Sequence, residues 1–221
     1  MSELERFREA AFEWAVDRSP TAERQARSSA AYVSIVVLVE GVSDAAAIDT
    51  AAVVCGRNLE AERVCVVPMR GVTNFGRFVT TIGPAGLGMP IAGLCDAGEE
   101  RYFLRALESA GVLAIATRSA MGSAGFFVCV DDLEDELVRA LGTERTLQIL
   151  AKAGDLPRFR TFQSQPAKRD IPIAAQLHRF FGTTSGRKER YARLLVDGLD
   201  GAPLPRPLAD LLDRLTSPLD D

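Results

Sequence analysis

The run Val33–Asp44, read as VSIVVLVEGVSD, constrains the fold more than any other stretch of the chain. Val33 to Val39 is an apolar run rich in β-branched residues, and it predicts a strand buried on both faces of a parallel sheet. The run ends on Glu40 and Gly41, and from Asp44 onward (DAAAIDTAAVV) the pattern is helical. A carboxylate therefore stands at the C-terminal end of a buried strand, and a second opens the next helix. In open α/β sheets that edge is where ligands bind. A buried strand does not end in an acid unless the acid has a partner. A metal ion is the expected partner.

The rest of the chain repeats the strand–helix alternation. Leu4–Asp17 carries Leu4, Phe7, Ala11 and Trp14 on one helical face. Ser19-Pro20 then opens a second helix, to about Ala30. Ser43 is the expected N-cap of a helix over Asp44–Cys55, which Gly56 stops. Strands are expected at Glu62–Pro68, at Ile91–Cys95 ending on Asp96, and at Phe126–Val130 ending on Asp131 and Asp132. Helices are expected at Phe75–Ile82, at Glu99–Ala110, and in DLEDELVRAL directly after the last strand. Gly83–Pro90 reads as a turn, and Val112–Ala124 as an irregular stretch. From Gly142 the pattern is helical, with helices near Ile171–Phe181, Arg187–Leu199 and Leu208–Leu215. The expected organisation is N-terminal helices (1–30), an α/β core (31–142) with about four parallel strands flanked by helices, and a helical C-terminal extension (143–221). Alternating β and α units place three acid-ending strands along one edge.

Composition narrows the chemistry. His178 is the only histidine, and none of Cys55, Cys65, Cys95 and Cys129 forms a CxxC pair. A His/Cys zinc site is thereby disfavoured, and any metal should be hard and oxygen-ligated. The cysteines read as small buried hydrophobes in a reducing compartment, and His178 as structural or exposed. No apolar run approaches the roughly 20 residues of a membrane span. The charged N-terminus MSELERFREA is not a signal peptide, so the expected location is the cytoplasm. The net charge of −4 is unevenly spread. Between Leu156 and Arg193, nine basic residues face only Asp170 and Glu189, which leaves that segment at +7 and the remainder at −11. A polyanion-facing region on an acidic body is expected. Arg158, Arg160, Lys168, Arg169, Arg187, Lys188 and Arg190 are its candidate nucleic-acid contacts. Phe159, Phe162, Phe180, Phe181 and Tyr191 interleave with them, as suits base or backbone contacts. The competing reading makes these rings a local core, and it is preferred for Phe180 and Phe181.

Glu40 and Asp44, Asp96, then Asp132 and Glu134 form an acid constellation without histidine. Crowded like charges need cations or protons. Magnesium, which keeps waters and works with phosphate oxygens, is the natural counter-ion, and two such ions could clamp a phosphoryl group. The motifs VLVEGVSD, CDAGEE and DLEDEL, in that order, resemble a toprim domain. More narrowly, DLEDEL and the ExxxD spacing of Glu40 and Asp44 are similar to the toprim nuclease of the overcoming-lysogenization-defect (OLD) endonucleases. That resemblance spans roughly Val33–Leu141. It implies a toprim-type Rossmann-like fold and Mg2+- or Mn2+-dependent phosphodiester hydrolysis with one or two ions. It also implies Glu40, Asp44, Asp96, Asp132 and Glu134 as ligands, and Glu40 as a further candidate for orienting or deprotonating water. A lysine beyond the DLE element assists the phosphate in that family, and Lys188 in SGRKERYA is the candidate here.

The sequence departs from the family in two places. Gly98 stands where the usual DxD motif has its second Asp, with Glu99 and Glu100 as the nearby carboxylates. No Walker A sequence is present, so the ABC-type ATPase usually fused to such a nuclease is expected on a separate chain. Expected partners are nucleic acid, DNA first, and that ATPase; a homodimer is allowed and a membrane is not expected. The rival reading is a silent toprim module that binds nucleic acid or an ATPase after losing a ligand at Gly98. A phosphoacceptor receiver domain is a third reading. It calls for an acid pair at the first strand end and has no use for the basic segment.

Overall fold

The structure, a computed structural model, describes residues 1–168, 170–183 and 186–216. In chain order the elements are α1 (Glu3–Asp17), α2 (Pro20–Ser29), β1 (Ile35–Val39), α3 (Val42–Val54), β2 (Val64–Pro68), α4 (Phe75–Ile82), β3 (Ile91–Asp96), α5 (Glu100–Ser109), α6 (Arg118–Ser123), β4 (Phe126–Cys129), α7 (Leu133–Lys152), α8 (Leu156–Gln163), α9 (Ile173–Phe181), α10 (Arg187–Asp197) and α11 (Arg206–Thr216). The four strands form one parallel sheet in the order β2-β1-β3-β4.

All five residues of β1 are buried, as expected of a strand covered on both sides. Its side chains alternate between two apolar layers. Ile35, Val37 and Val39 join α3 and the helices from α7 to α11. Val36 and Leu38 join α1, α4, α5 and Met121 of α6. The second layer includes a three-ring contact: Phe75 stacks on Phe103 with centroids 3.6 Å apart, and Phe126 meets both edge-on. The C-terminal helices share one apolar cluster with the sheet, because Phe181, Tyr191 and Leu195 pack with Val37, Val39 and Ile48. α7 bends at Gly142, whose φ of 74° suits glycine.

Several local expectations need correction. Gly41, not Ser43, caps α3, and Ser43 lies inside the helix. The reason is the Asp44 carboxylate, which reaches back from the first turn and accepts from the Gly41 N–H at 2.9 Å. The stretch Val112–Ala124 contains the short helix α6, capped by the Thr117 hydroxyl accepting from the Ala120 N–H. Cys55 is exposed, whereas Cys65, Cys95 and Cys129 are buried.

β3 tolerates no side chain at Gly93. A Cβ there would lie 2.3 Å from the Leu38 carbonyl oxygen and 3.2 Å from the Phe126 ring. Gly93→Ala must push β3 away from its neighbours, and overpacking of this kind costs about 1–3 kcal/mol. The expected result is a clear loss of melting temperature; an unchanged melt would contradict the packing.

Candidate metal centre

The sheet order reverses between β1 and β3. Chain flow leaves β1 toward β2 on one side and returns to β3 on the other. At such a switch point the connections diverge and leave a crevice outside the strand ends. Glu40 follows the last residue of β1 and Asp96 is the last of β3, so both carboxylates border this crevice. The cleft has a volume of about 390 Å3, and Glu40, Asp44, Arg70, Asp96 and Lys188 are among its lining residues.

Glu40, Asp96 and Glu99 offer carboxylate oxygens that all lie within 4.8 Å of one another. Glu99 reaches the site because the chain turns at once after β3, with the Glu99 N–H donating to the Asp96 carbonyl at 2.9 Å. Glu99 Oε2 is buried and has no hydrogen-bond partner. A buried, unpartnered carboxylate oxygen beside two other acids is a donor set suited to a hard divalent cation. Glu100 is not part of it, because it pairs with Arg118. A Cβ at Gly98 would meet nothing within 4 Å. The neighbouring Glu99 thus supplies a carboxylate beside the DxD position that Gly98 leaves empty.

A second group of acids comes from the starts of α3 and α7. Asp132 is the N-cap of α7, its Oδ1 accepting from the Asp135 N–H at 2.9 Å. The Val130 N–H donates to Glu136 at 2.8 Å and tightens the turn out of β4. Asp132 Oδ2 lies 2.6 Å from His178 Nε2 and 3.7 Å from Lys188 Nζ. Glu134 is 1% exposed. Its Oε2 lies within ion-pair distance of Lys188 Nζ, at 3.0 Å, and both of its oxygens are buried without a hydrogen-bond partner. Asp131 is exposed and Asp135 pairs with Arg139, as surface acids do.

The electrostatics follow from this crowding. Burial, then the charges of Asp44, Asp132, Glu99 and Glu40, push the Asp96 carboxyl up to about 8. Burial and Glu134 push Asp44 to about 7, against the opposing Gly41 N–H. Burial and Glu40 push Glu99 to about 7. For Asp132 burial acts upward, but the bonds from His178 and the Asp135 N–H outweigh it and leave the group below its usual range. The bond to Asp132 raises His178. Burial opposes the charged form of Lys188, yet Glu134 and Asp132 more than compensate and hold it protonated.

Two basic side chains here escaped the sequence reading. His178 is bonded to Asp132, although its position in α9 gives no local hint of α7. Arg70 lines the cleft in a left-handed turn with φ 58°, followed by Gly71 at φ 119°. That turn is tied to β1 by the Met69 N–H donating to the Val39 carbonyl at 2.8 Å and the Gly71 N–H donating to Glu40 O at 3.2 Å. Strained backbone held so firmly is characteristic of ligand-facing turns. The Arg70 guanidinium lies 4.4 Å from the Phe12 ring centroid.

The basic segment divides. Lys188 reaches the cleft. Arg158 and Arg190 bind Asp155 at 2.9 and 3.1 Å, and the Tyr191 hydroxyl donates to the same carboxylate at 3.0 Å. Arg187 covers Phe180 and Lys168 covers Phe162. Arg160 is exposed. Arg169 lies outside the described residues. Phe159, Phe162, Phe180, Phe181 and Tyr191 are all buried, which corrects the reading of these rings as base-stacking platforms: they are core. Their spacing among charges reflects amphipathic helices, with rings inward and cations outward.

Residues 32–97 match the family described as overcoming lysogenization defect protein-like, TOPRIM domain. Over that segment the chain is similar to an OLD-like toprim domain. Solved structures extend the likeness beyond this segment. The C-terminal region of the Burkholderia pseudomallei OLD protein aligns with a TM-score of 0.64 at 19% identity, over 83% of this chain and 97% of that one. The C-terminal region of the Xanthomonas campestris pv. campestris OLD protein aligns with a TM-score of 0.64 at 22% identity, over 84% of this chain and 93% of that one. At these identities the likeness concerns the fold, and it takes in the C-terminal helices as well as the sheet. No curated protein matches the chain. Among the described residues, no helix is long and apolar enough to cross a membrane.

Proposed function

We propose that the protein is a divalent-metal-dependent nuclease that hydrolyses phosphodiester bonds in nucleic acid, with DNA as the first expected substrate. The observation that carries this reading is the convergence of Glu40, Asp96 and Glu99 oxygens within 4.8 Å at the sheet's switch point. Glu40, Asp96 and Glu99 would hold magnesium or manganese. Bound there, the ion would polarise a phosphoryl oxygen and lower the pKa of a water.

The chain's own groups supply the rest. Lys188, 44% exposed at its side chain, puts a positive charge at the cleft that offsets charge developing on the reacting phosphate. Arg70 adds a second cation on the wall. Phosphate contacts of this kind position a nucleic-acid backbone without reading its sequence. Binding through phosphate contacts should weaken as salt rises.

Supercoiled-plasmid cleavage in magnesium or manganese tests the reading, with wild type beside Glu40→Ala. Wild type should nick or linearise the plasmid only with metal, and Glu40→Ala should lose at least about 100-fold, the scale of removing one well-placed electrostatic group. Equal cleavage by both proteins, or cleavage in EDTA, would overturn the assignment. An inert wild type would favour the silent module that binds nucleic acid or a separate ATPase.

A further inference from the structure

We propose that a second cavity, beside the cleft, is a subsite for one unpaired, amino-bearing nucleobase of the strand being cut, guanine above all. The inference rests on the nuclease reading above and adds a base preference to it.

The cavity has a volume of about 440 Å3 and is lined by α1, the end of β2 and the turn that follows it. That volume falls within the roughly 300–1,000 Å3 typical of small-ligand sites. Val42 and Arg70 line both this cavity and the cleft, so the two open side by side. A strand whose phosphate lies at the cleft can therefore place a neighbouring base in the cavity. Val67 and Pro68 give it an apolar lining. Phe12 and Arg70 form a flat wall, with the guanidinium 4.4 Å from the ring centroid. Unstacked bases settle on aromatic rings and guanidinium planes of this kind. The wall is held in place, because Phe12 packs on Phe78 with centroids 6.1 Å apart and the Arg70 turn is bonded to β1.

The rim decides which part of a nucleotide enters. Glu9, Glu13 and Asp17 follow one another at intervals of four along α1, which puts them on one face of the helix. All three are exposed, and among the described residues none has an ion-pair partner. Carboxylates repel a phosphate, so the backbone stays at the cleft with Lys188 and the base faces the acids. An ionised carboxylate only accepts hydrogen bonds, and it favours a base edge rich in N–H donors. Guanine offers its ring N–H and its amino group side by side, a match for two carboxylate oxygens. Cytosine and adenine offer one amino group, and thymine offers none. These donors lie on the pairing edge, so the base must be unpaired. A basic protein segment would also match the acids, but it would set its charge against Arg70 in the same cavity, whereas a neutral base does not.

Binding without metal separates this subsite from the chemistry. In EDTA, fluorescence anisotropy should show a single-stranded thymine oligonucleotide with one guanine binding at least about 10-fold tighter than the same strand of thymine alone. With 2-aminopurine in place of that guanine, its emission should be quenched on binding, as stacking requires. Glu9→Gln/Glu13→Gln changes only exposed side chains and should bring the two affinities to within about twofold. Phe12→Leu keeps an apolar wall without a ring and should weaken the quenching. Equal affinity of wild type for the two strands, a guanine preference that survives in the glutamine variant, or quenching unchanged in Phe12→Leu would each overturn the inference. An arginine-rich peptide that displaces the guanine strand from wild type and does not bind the glutamine variant would overturn it in favour of a basic protein partner. A guanine preference in a protein that leaves plasmid intact would support the subsite and remove the nuclease reading. Plasmid cleavage without any guanine preference would do the reverse.

Discussion

Asp96→Asn should abolish metal-dependent cleavage and, in the same protein, raise the melting temperature of the metal-free form at alkaline pH. Under the proposed function the loss of activity should be at least about 10²–10³-fold, because an amide would not replace a carboxylate whose charge would hold the ion. The gain in stability follows from crowding. Asp96 is half-buried beside Asp44, Asp132, Glu99 and Glu40, which together with burial push its carboxyl up to about 8. Above that pH the folded protein carries a charge that the unfolded chain would hold at lower free energy, and Asn removes it. A relief of 1 kcal/mol is worth about 2–4 °C in a chain of this size. The advantage should open as pH rises through the unfolded value of 3.8 and widen until about 8, so the gap between the two melts should be small at pH 5 and large at pH 9. Melting in EDTA at pH 5 and pH 9 is the check. A variant that melts below wild type at pH 9 would mean that Asp96 is a structural hydrogen-bonding group and not a member of a repulsive cluster.

Without metal, the wild-type protein should lose stability steadily as pH rises from about 4 to about 8, and manganese should restore it. The sign follows from proton counting. Asp96, Asp44 and Glu99 have folded values near 8, 7 and 7, above their ordinary carboxylate values, so between these limits the folded state binds more protons than the unfolded one. Stability then falls with pH. His178 acts in the same direction. Its folded value is raised, so its contribution is complete below the unfolded value of 6.5 and disappears as pH climbs through the folded one. Asp132 acts oppositely, but only in acid, because its folded value lies below 3.8 and its contribution is lost as pH falls through it. Metal competes with the same protons, so its affinity should rise over the window in which stability falls. Melting temperatures in EDTA that stay flat or climb from pH 5 to pH 8 would contradict the electrostatics described here.

The legible parts of this protein are those governed by local periodicity. VSIVVLVE could only be a buried strand ending in an acid, and CDAGEE and DLEDEL mark two further acid-bearing edges. Their alternation with helical segments implied the parallel sheet and hence the meeting of Glu40 with Asp96. What the sequence did not disclose depends on turns and on distant pairing. Glu99 reads as an ordinary helix-start acid until the turn after β3 is seen to fold it back toward Glu40. His178 and Asp132 are separated by 46 residues and meet through the packing of α9 on α7. Arg158 and Arg190 look like free cations in sequence, but both serve buried Asp155. The aromatic residues of the basic segment were ambiguous for a physical reason. Interleaved rings and charges arise equally from an amphipathic helix and from a base-stacking surface, and only burial separates the two.

The Lys188–Glu134 pair joins two parts of the chain that are made far apart. Every acid of the constellation is synthesised by residue 134, while the ammonium that neutralises the most deeply buried of them arrives more than fifty residues later, on α10. A nascent chain that ends before α10 can lay down β1 to β4 but must leave Glu134 wet or protonated, because burying it alone is prohibitive. A product truncated before α10 would keep Glu40, Asp96 and Glu99 on the strand ends but lack the cation beside Glu134.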